Sequence, residues 1–229
     1  GGGVCELDIQ LSQLGHSTGF NEKSRDRMDN GTYAHARITE KMRRAGVLVE
    51  ADVSIVEFAD GTAVFENLRG DELGIMISEH GAVTWRGSLD VVVGQIDGAT
   101  TVYVGELKTA NTRKYEGLPQ TEPDRTTMAR AMLRAEPNYT RQVTQYQVML
   151  SRYAAQWRPG TTVSEDVFLL YEHTDTQNYR VIWFRPDEAQ RADAFARPEL
   201  AMTASREGRL LERPFERGSR TCNSCYPKR

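Results

Sequence analysis

The sequence is poor in cysteine, in long apolar runs and in any excess of one charge, and each shortage excludes something. No stretch reaches the roughly 18 uncharged apolar residues that a membrane-spanning helix needs, so no membrane partner is expected. The opening Gly1-Gly2-Gly3-Val4 has neither the basic region nor the apolar core of a signal peptide. The three cysteines, Cys5, Cys222 and Cys225, are an odd count with no secretion signal. That argues against a disulfide scaffold and for a reducing, cytoplasmic setting in which thiols hold a metal or a cluster. A formal net charge of −3 gives no whole-chain support for nucleic-acid binding. A local basic path can still coexist with acids crowded at a metal site.

What is present suits one globular domain. At 229 residues and 39% hydrophobic content the chain is long and apolar enough for a sizeable core. The expected division is a single domain over 1–229, with its core at about 31–185 and cysteine-bearing ends at 1–30 and 206–229. There is no internal repeat and no low-complexity segment.

Periodicity supplies the elements. Residues 31–45 read as a helix on Tyr33, Ala34, Ile38, Met42 and Ala45. Residues 47–58 alternate as a strand, and Asp60-Gly61 follows as a turn. Residues 75–77, 83–96 and 100–109 read as further strands, with Asp97-Gly98 turning between the last two. Residues 110–126 read as a loop, which beside an active-site strand is more often functional than idle. A short helix is expected over 127–135, and a long amphipathic one over 139–157 on Tyr139, Val143, Tyr146, Leu150, Tyr153 and Trp157. Strands at 167–171 and 179–184 precede a helix from about 186 to 205, which Pro198 bends or divides. The tail from 208 is basic and irregular. The fold class is therefore α/β: a mixed central sheet flanked by helices.

Glu106-Leu107-Lys108 ends an apolar strand, and Asp90 sits sixteen residues before the glutamate. Glu106 and Lys108 share a face of the strand, because side chains two apart point the same way. Such an acid and lysine can hold a divalent cation and the group that it polarises. The face of Asp90 depends on register. A three-residue loop, Asp97-Gly98-Ala99, sets Ile96 opposite Thr100 and hence Asp90 opposite Glu106, with both acids on one face. A two-residue loop puts Asp90 opposite Gly105 and splits them. Asp90 lies inside Leu89-Val91-Val92-Val93, where an unpaired charge is costly, which favours a ligand role. Arg113, Lys114, Arg125, Arg130, Arg134 and Arg141 follow the triplet and form the candidate nucleic-acid path, with a solvated helix face as the plain alternative for each. Glu50 and Glu57 are the alternative acids.

With these residues in place the chain resembles the PD-(D/E)xK nuclease superfamily, and more closely its RecB-like branch. That branch includes CRISPR-associated adaptation nucleases and the nuclease domains of AddB-type helicase partners. Four elements occur in the family's order. They are Gly31-Thr32-Tyr33-Ala34-His35 for Gly-x-x-x-His, Gly87-Ser88-Leu89-Asp90 for Gly-x-x-Asp, Glu106-Leu107-Lys108 for Glu-x-Lys, and Gln142-Val143-Thr144-Gln145-Tyr146 for Gln-x-x-x-Tyr. No single element is specific; four in sequence are. The resemblance implies a restriction-endonuclease-like fold and a Mg²⁺- or Mn²⁺-dependent deoxyribonuclease, acting as an exonuclease on single strands or DNA ends. Asp90, Glu106, His35 and the Leu107 carbonyl would hold the metal. Hard oxygens suit either ion, and the imidazole shifts preference toward Mn²⁺. Lys108 would serve the attacking water or the phosphate charge, and Gln142 and Tyr146, one helical turn apart, would position it. On their own residues, His35 is an ordinary helix histidine and Tyr146 fits the apolar stripe.

In the iron–sulfur members of this branch one cysteine precedes the histidine helix and three follow the core. Cys5, Cys222 and Cys225 match the first three, and the fourth would fall at position 231, two past Arg229. The resemblance implies a 4Fe-4S cluster clasping the ends of the domain. His16 as another ligand, zinc, and three inert thiols are the alternatives. Two rival functions stand beside the nuclease: a catalytically silent DNA-end binding module, and a subunit of a recombination or CRISPR-adaptation assembly in a prokaryotic or phage-infected cell.

Overall fold

The computed structural model describes residues 22–94, 100–120 and 122–208, without the side chains of 22–29, 197–198, 201–202 and 205–206. Cys5, His16, Cys222 and Cys225 lie outside the described residues, as do the Asp97-Gly98-Ala99 turn and the basic tail beyond 208. The chain divides into two compact units, Asn30–Asp187 and a second made of Gly1–Asp29 with Glu188–Arg229.

The elements run α1 (Glu22–Arg44), β1 (Leu48–Phe58), β2 (Ala63–Val64), α2 (Gly70–His80), β3 (Val83–Gly94), β4 (Thr101–Ala110), α3 (Thr112–Glu116), α4 (Arg125–Ala135), α5 (Pro137–Arg152), α6 (Ala154–Trp157), β5 (Thr162–His173), β6 (Tyr179–Phe184) and α7 (Glu188–Arg206). Among the described residues six strands make one mixed sheet in the order β2-β1-β3-β4-β5-β6. All neighbours are antiparallel except β4 and β5, which run parallel. A parallel pair needs a long crossover, and α3 to α6 provide it.

Helices cover both faces of the sheet. Ile38 of α1 packs with Val91, Leu107, Phe168 and Leu170 in one buried cluster. The opposite face lies under α5, which buries Val143, Tyr146, Met149 and Leu150. Each fully buried residue of this size contributes about 1.5–3 kcal/mol relative to exposure. Gly105 makes the α1 side tight: a Cβ there would meet the Phe168 ring at 2.0 Å. Val56, Phe58 and Leu68 form a second cluster, packed by Leu73 and Met76 of α2.

The pairs Val91↔Gly105, Val92↔Val104, Val93↔Tyr103 and Gly94↔Val102 match the first of the two registers weighed from the sequence. Continuing it by one residue brings Asp90 opposite Glu106.

Several elements differ from expectation. Ile75 and Ile77 are not in a strand but in α2, at 58% and 40% exposure. Two apolar residues at spacing two mimic alternation, while Asp71 and Glu72 in the first turn favour a helix through its dipole. The expected loop over 110–126 contains α3, which Asn111 caps by accepting from the Lys114 N–H. The helix expected over 139–157 ends at Arg152, and Trp157 belongs to the separate turn α6. In α1, Ala34 and Ile38 are buried but Tyr33 is 71% exposed, so it is not part of the apolar stripe. In the second unit, α7 runs undivided through Pro198.

Candidate active site

Asp90, Glu106 and Lys108 converge where β3 and β4 lie side by side. The Lys108 ammonium stands 2.5 Å from Glu106 Oε1 and 3.7 Å from Asp90 Oδ2. Asp90 Oδ2 also accepts from the Leu107 backbone N–H at 2.7 Å, which ties the aspartate to the middle of the triplet. His35 Nδ1 is 3.9 Å from that same oxygen.

Glu106 is 1% exposed, and its Oε2 is buried without a hydrogen-bond partner among the described residues. Burial disfavours its charged form, and Asp90 repels it; together they outweigh Lys108 and push the carboxyl up to about 7. Burial works in the opposite direction on Lys108, to lower it. The charges of Glu106 and Asp90 outweigh it and hold the ammonium above its ordinary value.

Asp90 reaches both layers of the fold, because side-chain alternation inverts along β3. Gly87 and Val91 are four residues apart and should share a face. A Cβ on Gly87 would point at Tyr146 of α5 (2.6 Å), whereas Val91 packs with Ile38 of α1. Asp90 lies between them. On the α1 side it lines a cleft of about 480 Å³ with Thr32, His35, Thr39, Asp52 and Leu107. On the α5 side it meets Lys108.

Tyr146 and Gln142 close the α5 side. Gln142 Nε2 donates to the Tyr146 hydroxyl at 2.9 Å. Burial raises the Tyr146 pKa, and the charges of Glu106 and Asp90 raise it further, so the hydroxyl keeps its proton. Trp85 meets the Tyr146 ring edge-on at 6.0 Å across Gly87. The glycine is required there, since a Cβ would also lie 2.4 Å from Trp85. Beyond Lys108, the Tyr139 ring receives two ammonium groups, Lys108 at 4.9 Å and Lys114 at 4.5 Å from its centroid.

The expected residues are thus brought together unequally. His35, Asp90, Leu107, Lys108 and Glu106 form a chain of neighbours, with Gln142 and Tyr146 beside it. Among the described residues no three His, Cys, Asp or Glu side chains gather as a ready metal group. Lys108 stands between the two carboxylates. The basic path is also divided. Lys114 stays at the site, paired with Glu136 at 3.0 Å. Arg125 is engaged by Asp166 at 3.2 Å and lies over the Trp183 ring, and Arg130 is 3.5 Å from Asp187. Arg113 and Arg134 are exposed and Arg141 is half-buried. Of the alternative acids, Glu50 pairs with Arg158 at 3.6 Å, and Glu57 is held by Arg152, Tyr153 and Thr84.

Asp52 and Trp85 were not singled out by sequence. Asp52 has φ +53 inside β1, and an aspartate in a strand interior was the available signal. Trp85 had only its spacing of two from Gly87.

No protein-family model matches the chain, and no curated protein matches it. Among solved structures it is similar to one titled "Crystal structure of SSO0001", at 15% identity and a TM-score of 0.40, over 86% of this chain and 84% of that one. Among the described residues no helix is long and apolar enough to cross a membrane.

Proposed function

We propose that this chain is a metal-dependent deoxyribonuclease of the PD-(D/E)xK type, with a restriction-endonuclease-like fold of the RecB-like branch. It acts on single strands or DNA ends as an exonuclease. The carrying observation is the convergence of Asp90, Glu106 and Lys108, with one ammonium set between two carboxylates. A cation belongs between those acids, and the buried, unpartnered Oε2 of Glu106 fits a donor that awaits one. Asp90 and Glu106 would hold Mg²⁺ or Mn²⁺, with His35 and the Leu107 carbonyl completing the shell. When bound, the ion supplies Lewis acidity toward a phosphodiester and its attacking water.

The chain's own groups do the rest. Lys108 neutralises charge that develops on the phosphate, an effect typically worth a few kcal/mol per group. Gln142 donates to the Tyr146 hydroxyl, which stays protonated beside the two acids. The α1-side cleft admits the strand beside His35 and Asp90. Asp90→Ala and Lys108→Ala are expected to abolish Mn²⁺-dependent cleavage of single-stranded DNA while circular dichroism stays that of the parent; unchanged cleavage by both overturns the reading.

One observation favours a second reading. Lys108 reaches both acids from within the chain, as suits a DNA-end binding module that does not cut. DNA binding in EDTA, with no cleavage in Mn²⁺ or Mg²⁺, would establish that reading instead. For Cys5, Cys222 and Cys225 we retain the 4Fe-4S proposal, which broad visible absorbance of the purified protein tests.

A further inference from the structure

We propose that Asp52 is a positioning residue whose left-handed backbone turns β1 and β3 over together and so aims Asp90 at both layers of the site. The pairs Ala51↔Val91 and Val53↔Leu89 flank it, so Asp52 stands opposite Asp90. Directly paired residues of neighbouring strands point to the same face. An inversion between Gly87 and Val91 must therefore be matched in β1. Asp52 is the one residue of β1 with positive φ. A left-handed residue breaks the two-residue alternation, which an extended residue would preserve. Its side chain is exposed at the cleft, so burial does not explain the conformation. Aspartate, asparagine and glycine enter the left-handed region most readily; alanine does so less, and valine least.

The Leu107 amide reports the outcome directly, because its N–H donates to the Asp90 carboxylate. The structural claim does not depend on chemistry; its catalytic consequence rests on the nuclease reading above. The experiment compares Asp52→Asn, Asp52→Gly, Asp52→Ala and Asp52→Val by amide hydrogen exchange and by cleavage of a single-stranded oligonucleotide in Mn²⁺. Asparagine and glycine are expected to keep the parent's Leu107 protection and kcat. Valine is expected to speed Leu107 exchange about tenfold or more and to lower kcat comparably with little change in KM. Alanine falls between and carries the comparison if the valine variant does not fold. Loss in the glycine variant equal to that in valine overturns the inference, as does unchanged Leu107 exchange across the series. A parent protein inert toward DNA, with Leu107 exchange still following the series, overturns the nuclease reading and leaves this inference standing.

Discussion

Glu57 and Glu106 are both carboxylates on the α5 side of the sheet, and their surroundings differ completely. Glu57 receives Tyr153 at 2.5 Å, Thr84 at 2.9 Å and Arg152 at 2.8 Å. Burial works to raise it, but these donors outweigh burial and hold the carboxyl below its ordinary range. Among the described residues Glu106 has one donor, one oxygen without a partner and a neighbouring aspartate, and it is pushed up. A fold that can satisfy an acid fully at one place leaves another poorly satisfied nearby. Perturbed groups of that kind concentrate where chemistry is done. The first acid locks the end of α5 to β1 and β3; the second keeps one buried oxygen without a hydrogen-bond partner among the described residues.

The sharpest way to break this comparison is to neutralise each acid in turn. Glu106→Gln should cut cleavage by roughly 10²–10³-fold, the scale for losing one preorganised charged group. Glu57→Gln should leave kcat/KM within about twofold, while lowering stability through its lost ion pair and weakened hydrogen bonds. Equal losses of cleavage would erase the distinction. Next in size is Gly87→Ala. Its Cβ would lie 2.4 Å from Trp85 and 2.6 Å from Tyr146, so one ring must move. Overpacking of this kind costs about 1–3 kcal/mol, measurable as a shift in the urea midpoint, and it should lower cleavage with it. A fully stable, active Gly87→Ala protein would show that the Trp85–Tyr146 contact positions nothing.

Much of this contrast was readable before the structure. Two β3–β4 registers were open in the sequence, and the pairing found is the one that sets Asp90 opposite Glu106; the Gly-x-x-Asp and Glu-x-Lys elements hold the two acids that flank Lys108. The reach of Asp90 into both layers was not readable, because alternation was assumed to continue through β1 and β3 and Asp52 breaks it. The fate of the arginines was hidden for another reason. Sequence spacing puts Arg125 and Lys114 on one path, but Asp166 on β5 takes Arg125, and Arg185 joins it there at 2.7 Å. Partners that arrive from distant strands leave no local trace. Lys114 is paired too, with Glu136, but it stands with Lys108 over the Tyr139 ring at the site and so carries a smaller, specific prediction. Lys114→Ala should reduce the salt dependence of single-stranded DNA binding by about 0.7 in slope, one phosphate contact's worth. Arg125→Ala should leave that slope unchanged.

The smallest effect expected is in the pH profile. Glu57 is more acidic in the folded chain than the ordinary carboxyl value of 4.5, so the folded state holds fewer protons there than the unfolded one. Its contribution is therefore present above that value and is lost as pH falls through the depressed folded value. Melting temperature should decline on acidification below about pH 4.5, and Glu57→Gln should flatten that part of the profile, because glutamine has no proton to take up. A profile equally steep in Glu57→Gln would mean that other carboxylates set the acid limb. Glu57 would then be no better satisfied in the folded chain than in the unfolded one, and the contrast with Glu106 would rest on Glu106 alone.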